Sequence, residues 1–130
     1  MTKKNKYNVS PPEDRRYNGR TYASKAEMRY AVLLYQLRDN GDIIDFVEQP
    51  RLWLGVPENK YVPDFLVIPE ASISVYPHYI DVKGFYTPAF KRVVKLWKAY
   101  GILDLIIIKP TKTSFKTAEV IDGAIYRQGS

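Results

Sequence analysis

The apolar positions of the chain change their period three times. Between Ser24 and Gly41, Ala26, Tyr30, Leu33, Leu34 and Leu37 recur at helical spacing, which predicts a helix capped by Ser24 and stopped at Gly41. Residues 42–55 (DIIDFVEQPRLWLG) alternate well enough for a strand bent at Pro50, and VPENK (56–60) reads as a turn. YVPDFLVIP (61–69) predicts a second strand with Pro63 near its start, where proline is tolerated. EASISVYP (70–77) is a connection, and HYIDVKGF (78–85) is a third strand broken at Gly84. TPAFKRVVKLWKAYG (87–101) predicts a second helix, with Thr87 as cap, Pro88 in the first turn and Gly101 as stop. Its apolar stripe is Phe90, Val93, Val94 and Trp97. ILDLIIIKP (102–110) is the continuous apolar run expected of a strand covered on both faces. The tail from Thr117 fits a short strand or a helix. The order helix, three strands, helix, strand predicts a mixed α/β fold with a mixed central sheet flanked by helices.

Residues 1–23 do not follow this pattern. They are polar, carry Lys3, Lys4, Lys6, Arg15, Arg16 and Arg20, and are broken at Pro11-Pro12. They read as a basic arm with a short strand or turn near Tyr17–Tyr22, and residues 24–130 as a single domain. A chain of 130 residues with 45% apolar content supports one core. The net charge of +6 favours a polyanionic partner, nucleic acid foremost. An acidic membrane surface is the rival, but no lipidation motif appears. No run approaches the roughly 18 apolar residues of a membrane span, and the start lacks the apolar core of a signal peptide. An intracellular, cytoplasmic protein is expected. Cysteine is absent, which removes disulfides, thiolate chemistry and zinc fingers, and the lone histidine, His78, argues against a Ser-His-Asp machine.

Four charged residues fall in or against elements that should be buried: Glu27, Asp64, Asp81 and Lys83. Each also has an ordinary explanation. SKAE (24–27) fits a capping box, yet helical geometry sets Glu27 opposite the polar stripe of Lys25, Arg29 and Gln36, and the two roles are compatible. Asp64 could be a turn aspartate, but Phe65–Ile68 continue at once as an apolar strand. Asp81 and Lys83, two apart on a strand, share a face and could be a structural ion pair or a solvated edge. A second such triplet, Glu58-Asn59-Lys60, lies in a Pro-rich turn and is set aside. The combination is more specific than its parts. Magnesium takes one or two carboxylates plus waters and substrate phosphate, and two aspartates on neighbouring strands could supply them. A lysine beside them can stabilise an attacking hydroxide or the charge building on phosphorus.

Glu27, Pro63-Asp64 and Asp81-Val82-Lys83, in that order, resemble the PD-(D/E)xK, or restriction-endonuclease-like, nuclease superfamily. SKAE before an apolar helix and the YVPDF context are similar to small phage-type nucleases, including Holliday-junction resolvases. The resemblance spans residues 24–109 and implies an αβββαβ core. It implies that Asp64 and Asp81 are metal ligands, joined by the Val82 carbonyl. Glu27 would hold a second metal or a metal-bound water, and Lys83 would be the catalytic lysine. Gln49 would be an accessory polar residue, although a plain strand-end glutamine explains it as well. The implied activity is Mg²⁺-dependent hydrolysis of DNA phosphodiesters, with Mn²⁺ able to substitute, leaving 5′-phosphate and 3′-hydroxyl ends. A Holliday-junction resolvase acting in DNA recombination is the leading expectation. A mismatch-repair or transposon-end nickase is the alternative on the same fold, and a non-catalytic DNA-binding module or an RNA-directed binder are the others.

Lys91, Lys95 and Lys98, with Arg92 nearby, make a basic stripe on the second helix, which is a phosphate track or a solvated face. Arg15, Arg16 and Arg20 of the arm are further candidate DNA contacts, and Tyr7, Tyr17 and Tyr22 are candidates for base stacking. No base-reading module is present, which favours recognition of branched or structured DNA. The resemblance to resolvases implies a homodimer. Met28, Val32 and Tyr35 on the first helix would be its interface, or else lie under the arm.

Overall fold

A computed structural model describes residues 9–125. Lys3, Lys4, Lys6 and Tyr7 of the arm and the last five residues of the tail lie outside them. The first described element is a 3₁₀ turn, Pro12–Arg15. A two-residue-per-strand hairpin follows, β1 (Arg16–Tyr17) and β2 (Arg20–Thr21), turning on Asn18 and Gly19, both at positive φ. The first helix, α1, runs Lys25–Asp39, and the Ser24 hydroxyl accepts the Glu27 N–H at 3.0 Å, as the capping reading expects. The second helix, α2, runs Pro88–Tyr100 and is capped by Thr87, whose hydroxyl accepts the Phe90 N–H at 3.1 Å. Both helices begin and end where the patterning predicts.

The expected strand over residues 42–55 divides. Strand β3 (Ile43–Glu48) ends at Gln49, which takes a left-handed φ of 52°, and Pro50 follows with no N–H to donate. The chain then leaves the sheet and forms a separate hairpin, β4 (Leu52–Trp53) against β5 (Lys60–Tyr61). After Pro63-Asp64 it returns as β6 (Phe65–Pro69), then β7 (His78–Val82). Helix α2 carries the chain over to β8 (Leu105–Pro110), and β9 (Phe115–Ile121) closes the edge. That last strand resolves the start of the ambiguous tail, through Ile121, as β. Its middle is exposed, so its sequence carries little alternation.

These strands form a five-stranded mixed sheet, in order β3-β6-β7-β8-β9. Only β7 and β8 pair in parallel, and such a pair needs a long crossover, here supplied by α2. The two faces of the sheet hold two apolar clusters. Phe65, Val67, Ile80 and Ile108 pack with Ala31 and Leu34 of α1, while Leu105, Ile107 and Ile121 pack with Phe90, Val94 and Trp97 of α2. The alternation of β7 follows: Ile80 and Val82 belong to the α1 side, and Tyr79 to the α2 side. Asp81 and Lys83 share the parity of Tyr79. The architecture is thus mixed α/β, a helix on each face of a mixed sheet. Among the described residues no helix is long and apolar enough to cross a membrane.

Residues 123–125 lock the turn between α2 and β8. Ala124 and Ile125 N–H donate to the carbonyls of Gly101 and Ile102, and the Gly123 N–H donates to Asp104 Oδ1 at 2.7 Å. A Cβ on Gly123 would stand 2.1 Å from the Ile102 carbonyl oxygen, which is backbone and cannot give way. Gly123→Ala is expected to cost about 2–3 kcal/mol, as overpacking does, and to lower Tm by roughly 10 °C in a thermal unfolding measurement.

Candidate functional site

Three strands and a helix end deliver the predicted residues to one place. Pro63, buried with no N–H to donate, separates β5 from β6, so Asp64 stands at the mouth of β6 beside β7. Each aspartate carboxyl then accepts a backbone N–H from the neighbouring strand segment. The Asp64 N–H donates to Asp81 Oδ1 at 3.0 Å, and the Val82 N–H donates to Asp64 Oδ2 at 2.7 Å. The Tyr61 hydroxyl donates to the other oxygen, Asp81 Oδ2. Asp81 is only 1% exposed. Burial pushes its carboxyl up to about 7, against the lowering influence of Lys83 and the Asp64 N–H. Asp64 is raised as well, again by burial, with the Val82 N–H and Lys83 opposing.

Lys83 continues β7, its N–H donating to the Ile108 carbonyl at 2.9 Å. Its ammonium lies 4.7 Å from the centre of the Phe90 ring, a favourable cation–π placement. Its charge acts on both aspartates. The amine is therefore anchored on an aromatic face, within electrostatic reach of both carboxylates but in salt-bridge contact with neither.

Glu27 performs both roles that its position suggested. Its N–H is capped by Ser24, while its side chain turns inward and the residue is 4% exposed. Its carboxyl is pushed up to about 7, first by burial and then by the nearby charge of Asp64. The Ala23 backbone and the Gln49 side chain hydrogen-bond to it and pull the other way, and Asp81 adds a smaller repulsion. Glu27 Oε1 is nevertheless buried with no hydrogen-bond partner among the described residues. Gln49 is also tied to the site through its backbone, which donates to the Asp64 carbonyl at 2.9 Å. The structure thus brings Glu27, Gln49, Asp64, Asp81, Val82 and Lys83 together.

Among the described residues, no three His, Cys, Asp or Glu side chains stand as a ready metal cage. Both aspartates accept hydrogen bonds from N–H and O–H groups of the neighbouring strands. The donor set still fits a hard divalent cation. Every donor is oxygen, two are carboxylates on adjacent strands, and Glu27 Oε1 is a buried acceptor without a partner among the described residues.

The candidate DNA contacts separate into two groups. Lys91, Arg92, Lys95 and Lys98 are all exposed on α2. Three of them line an open cleft of ≈ 320 Å³ with Tyr86 and Glu119, whose side chains hydrogen-bond at 2.7 Å. The arm arginines, by contrast, have internal partners. Arg15 donates to the carbonyls of Ser10 and Tyr22, Arg16 to the Thr21 hydroxyl at 3.3 Å, and Arg20 pairs with Glu48 at 2.8 Å. Tyr22 is buried in the α1 cluster with its hydroxyl on Glu48, so it does not face bases. Burial, the hydrogen bond and the Glu48 charge all hold its phenol above the ordinary value. On α1, Tyr35 lies edge-on to Tyr17 and Phe46, covered by the arm hairpin, whereas Met28 and Val32 line a cleft against the β8–β9 turn.

Sequence reasoning missed Tyr61 and Glu48. Tyr61 shares parity with Pro63, Phe65 and Val67, all buried, and that alternation was the available signal. Glu48 offered none, because its partners lie 26 and 28 residues away in the arm. Compared with known proteins, the chain matches no family profile and no curated relative.

Proposed function

We propose that the protein is a Mg²⁺-dependent, structure-selective DNA endonuclease on a restriction-endonuclease-like αβββαβ core, of the Holliday-junction resolvase type. The observation that carries this reading is the crossed pair of hydrogen bonds that holds Asp64 and Asp81 side by side on adjacent strands, with the charge of Lys83, two residues after Asp81, acting on both. The order of α1, β3, β6, β7, α2 and β8 supports the core.

Asp64 and Asp81 would hold the cation, with the Val82 carbonyl next in the chain, and Glu27 Oε1 is the buried acceptor left for a second ion or a water. When bound, Mg²⁺ supplies charge stabilisation for a phosphodiester and acidifies water. This chain's own groups do the rest. The Asp64 and Val82 N–H groups and the Tyr61 hydroxyl fix the carboxylates before substrate arrives, so little reorganisation accompanies reaction. Lys83, held over Phe90, presents a positive charge to a non-bridging phosphoryl oxygen and can hydrogen-bond an attacking water. Lys91, Arg92, Lys95 and Lys98 offer exposed cations to the phosphate backbone, a contact that positions without reading sequence.

The test uses labelled four-way junction, flap, linear duplex and RNA, each with Mg²⁺ or EDTA. Paired nicks at the junction, in Mg²⁺ alone, are the expected result. Equal cutting of all duplexes would make the protein a general nuclease, and cutting of one strand only, a nickase. Binding without cutting would make it a DNA-binding module whose carboxylates are structural. Lys83→Ala removes the amine without touching the carboxylate hydrogen bonds. It is expected to slow cleavage about 10²-fold or more while DNA affinity, read by anisotropy, changes little.

A further inference from the structure

The β4–β5 hairpin has two faces of opposite character. Leu52 pairs with Tyr61, and both belong to the α2 cluster. Trp53 pairs with Lys60, and alternation turns this pair outward. Trp53 is 56% exposed, whereas the protein's other tryptophan, Trp97, is 0% exposed and donates its indole N–H to the Leu103 carbonyl at 2.9 Å. Trp53 stands between two clefts. One, of ≈ 310 Å³, is bounded by Tyr79, Tyr100 and Ile102, and the other, of ≈ 300 Å³, by Gly55, Val56 and Pro57.

The surroundings select the occupant. Lys60 is exposed directly across from the indole, and Arg51 is exposed at the base of the hairpin. Between residues 51 and 61 these two cations face a single carboxylate, Glu58. Arg92 donates to Asn59 Oδ1 at 2.9 Å, which fastens the hairpin to the basic stripe of α2. An indole face beside a cation fits a flat π-system that carries a phosphate. A second copy of a chain with net charge +6 brings like charge to this face. A continuous duplex hides its base faces, so the π-system has to be an unpaired base.

We infer that the outward face of the β4–β5 hairpin binds unpaired nucleotides of the DNA substrate, Trp53 stacking on a base and Lys60 meeting its phosphate. This rests on the nuclease reading and deepens it. The inner face of the same hairpin places the Tyr61 hydroxyl on Asp81, so one hairpin touches the carboxylate pair on one face and offers the indole on the other. The substrate class is DNA with unpaired bases close to the scissile phosphate, as at a branch, flap or gap.

Trp97 is 0% exposed but borders the cleft beside Trp53, so quenching of tryptophan emission by added nucleic acid is assigned to Trp53 by its loss in Trp53→Phe. The full chain, in EDTA, is titrated with a twelve-nucleotide oligo-dT and with a duplex of equal length. Oligo-dT is expected to quench the emission. Trp53→Ala is expected to weaken oligo-dT binding roughly tenfold to a hundredfold, with duplex affinity changed less than about twofold. Trp53→Phe, which keeps a stacking face, retains most of the oligo-dT affinity and guards against a misfolded alanine variant. The proposal is overturned if duplex quenches equally, or if both affinities fall together. It is likewise overturned if oligo-dT neither binds nor quenches, or if sedimentation shows a dimer that Trp53→Ala disperses. No hydrolysis enters these measurements, so their failure leaves the nuclease reading standing. Absence of Mg²⁺-dependent cutting would remove that reading and leave the binding result intact.

Discussion

Asp81→Asn is expected to abolish phosphodiester cleavage, by on the order of 10³-fold or more, and yet to leave the protein at least as stable as the parent at pH 8. The two halves have one cause. Asp81 is buried, and its charged form is disfavoured by desolvation. Asparagine keeps an oxygen to accept the Asp64 N–H, and its amide can donate to the Tyr61 oxygen in place of the bond it now receives. The fold therefore loses no acceptor that it needs and is relieved of a charge. On the proposed nuclease reading, the site loses an anion that would hold the cation. Cleavage of the preferred DNA measures the first half, and urea unfolding at pH 8 the second. A variant that still cuts, or one that is several kcal/mol less stable, would show that Asp81 is structural. Loss of activity with undiminished stability separates a functional carboxylate from a buried ion pair, whose disruption is strongly destabilising.

Without metal, the folded protein is expected to lose stability as pH rises from about 4 to 7. The sign follows from the shifts. Glu27 moves from 4.5 to about 7 and Asp81 from 3.8 to about 7. Between those values the folded state holds protons that the unfolded chain has released, so the slope of unfolding free energy against pH is negative. The stabilisation is complete below the unfolded values and is gone above the folded ones. The two groups together account for a fall on the order of 5 kcal/mol, or a Tm roughly 15 °C lower at pH 8 than at pH 5. Asp64 shifts in the same direction. His78 opposes, because burial lowers its value and so adds stability as pH rises past the ordinary imidazole range. Asp45 and Glu70 are lowered, each held there first by hydrogen bonds, and act below this window. Thermal melts in EDTA across pH 5–8 read the slope. Glu27→Gln should flatten it, and excess Mg²⁺ at pH 8 should restore about 2–3 kcal/mol by binding the ionised acids. A Tm that climbs steadily from pH 5 to 8 would contradict the burial of these carboxyls.

The parts of the molecule that were legible in the sequence are those governed by neighbours in the chain. Ser24 and Thr87 announce their helices because a cap acts over three residues. The adjacency of Asp64 and Asp81 was legible because strand alternation and a short connection leave few registers. Other features depended on remote partners. The departure of the chain at Gln49 and Pro50 reads as a bend, since nothing local says that Leu52–Trp53 will pair with Lys60–Tyr61 rather than extend β3. Strand β9 was ambiguous because an edge strand with an exposed middle has little apolar period to show. The arm arginines read as free cations, yet Glu48 and several backbone carbonyls claim them in three dimensions. Within the site, Tyr61 went unnoticed because a tyrosine in an apolar alternation looks like core, and its hydroxyl shows only when Asp81 is placed opposite.

The position of β7 within the sheet has a consequence for how the site comes apart. Tyr79 and Ile80 of this strand are paired on both sides, by β6 and β8, while Asp81 and Val82 pair with β8 and are held on the other side by the hydrogen bonds with Asp64, and a helix covers each face of the sheet. Amide protons of such interior strands exchange with solvent only when the whole domain opens. Asp81, Val82 and Lys83 continue directly from that segment, so the paired carboxylates are expected to keep their arrangement until the sheet itself opens.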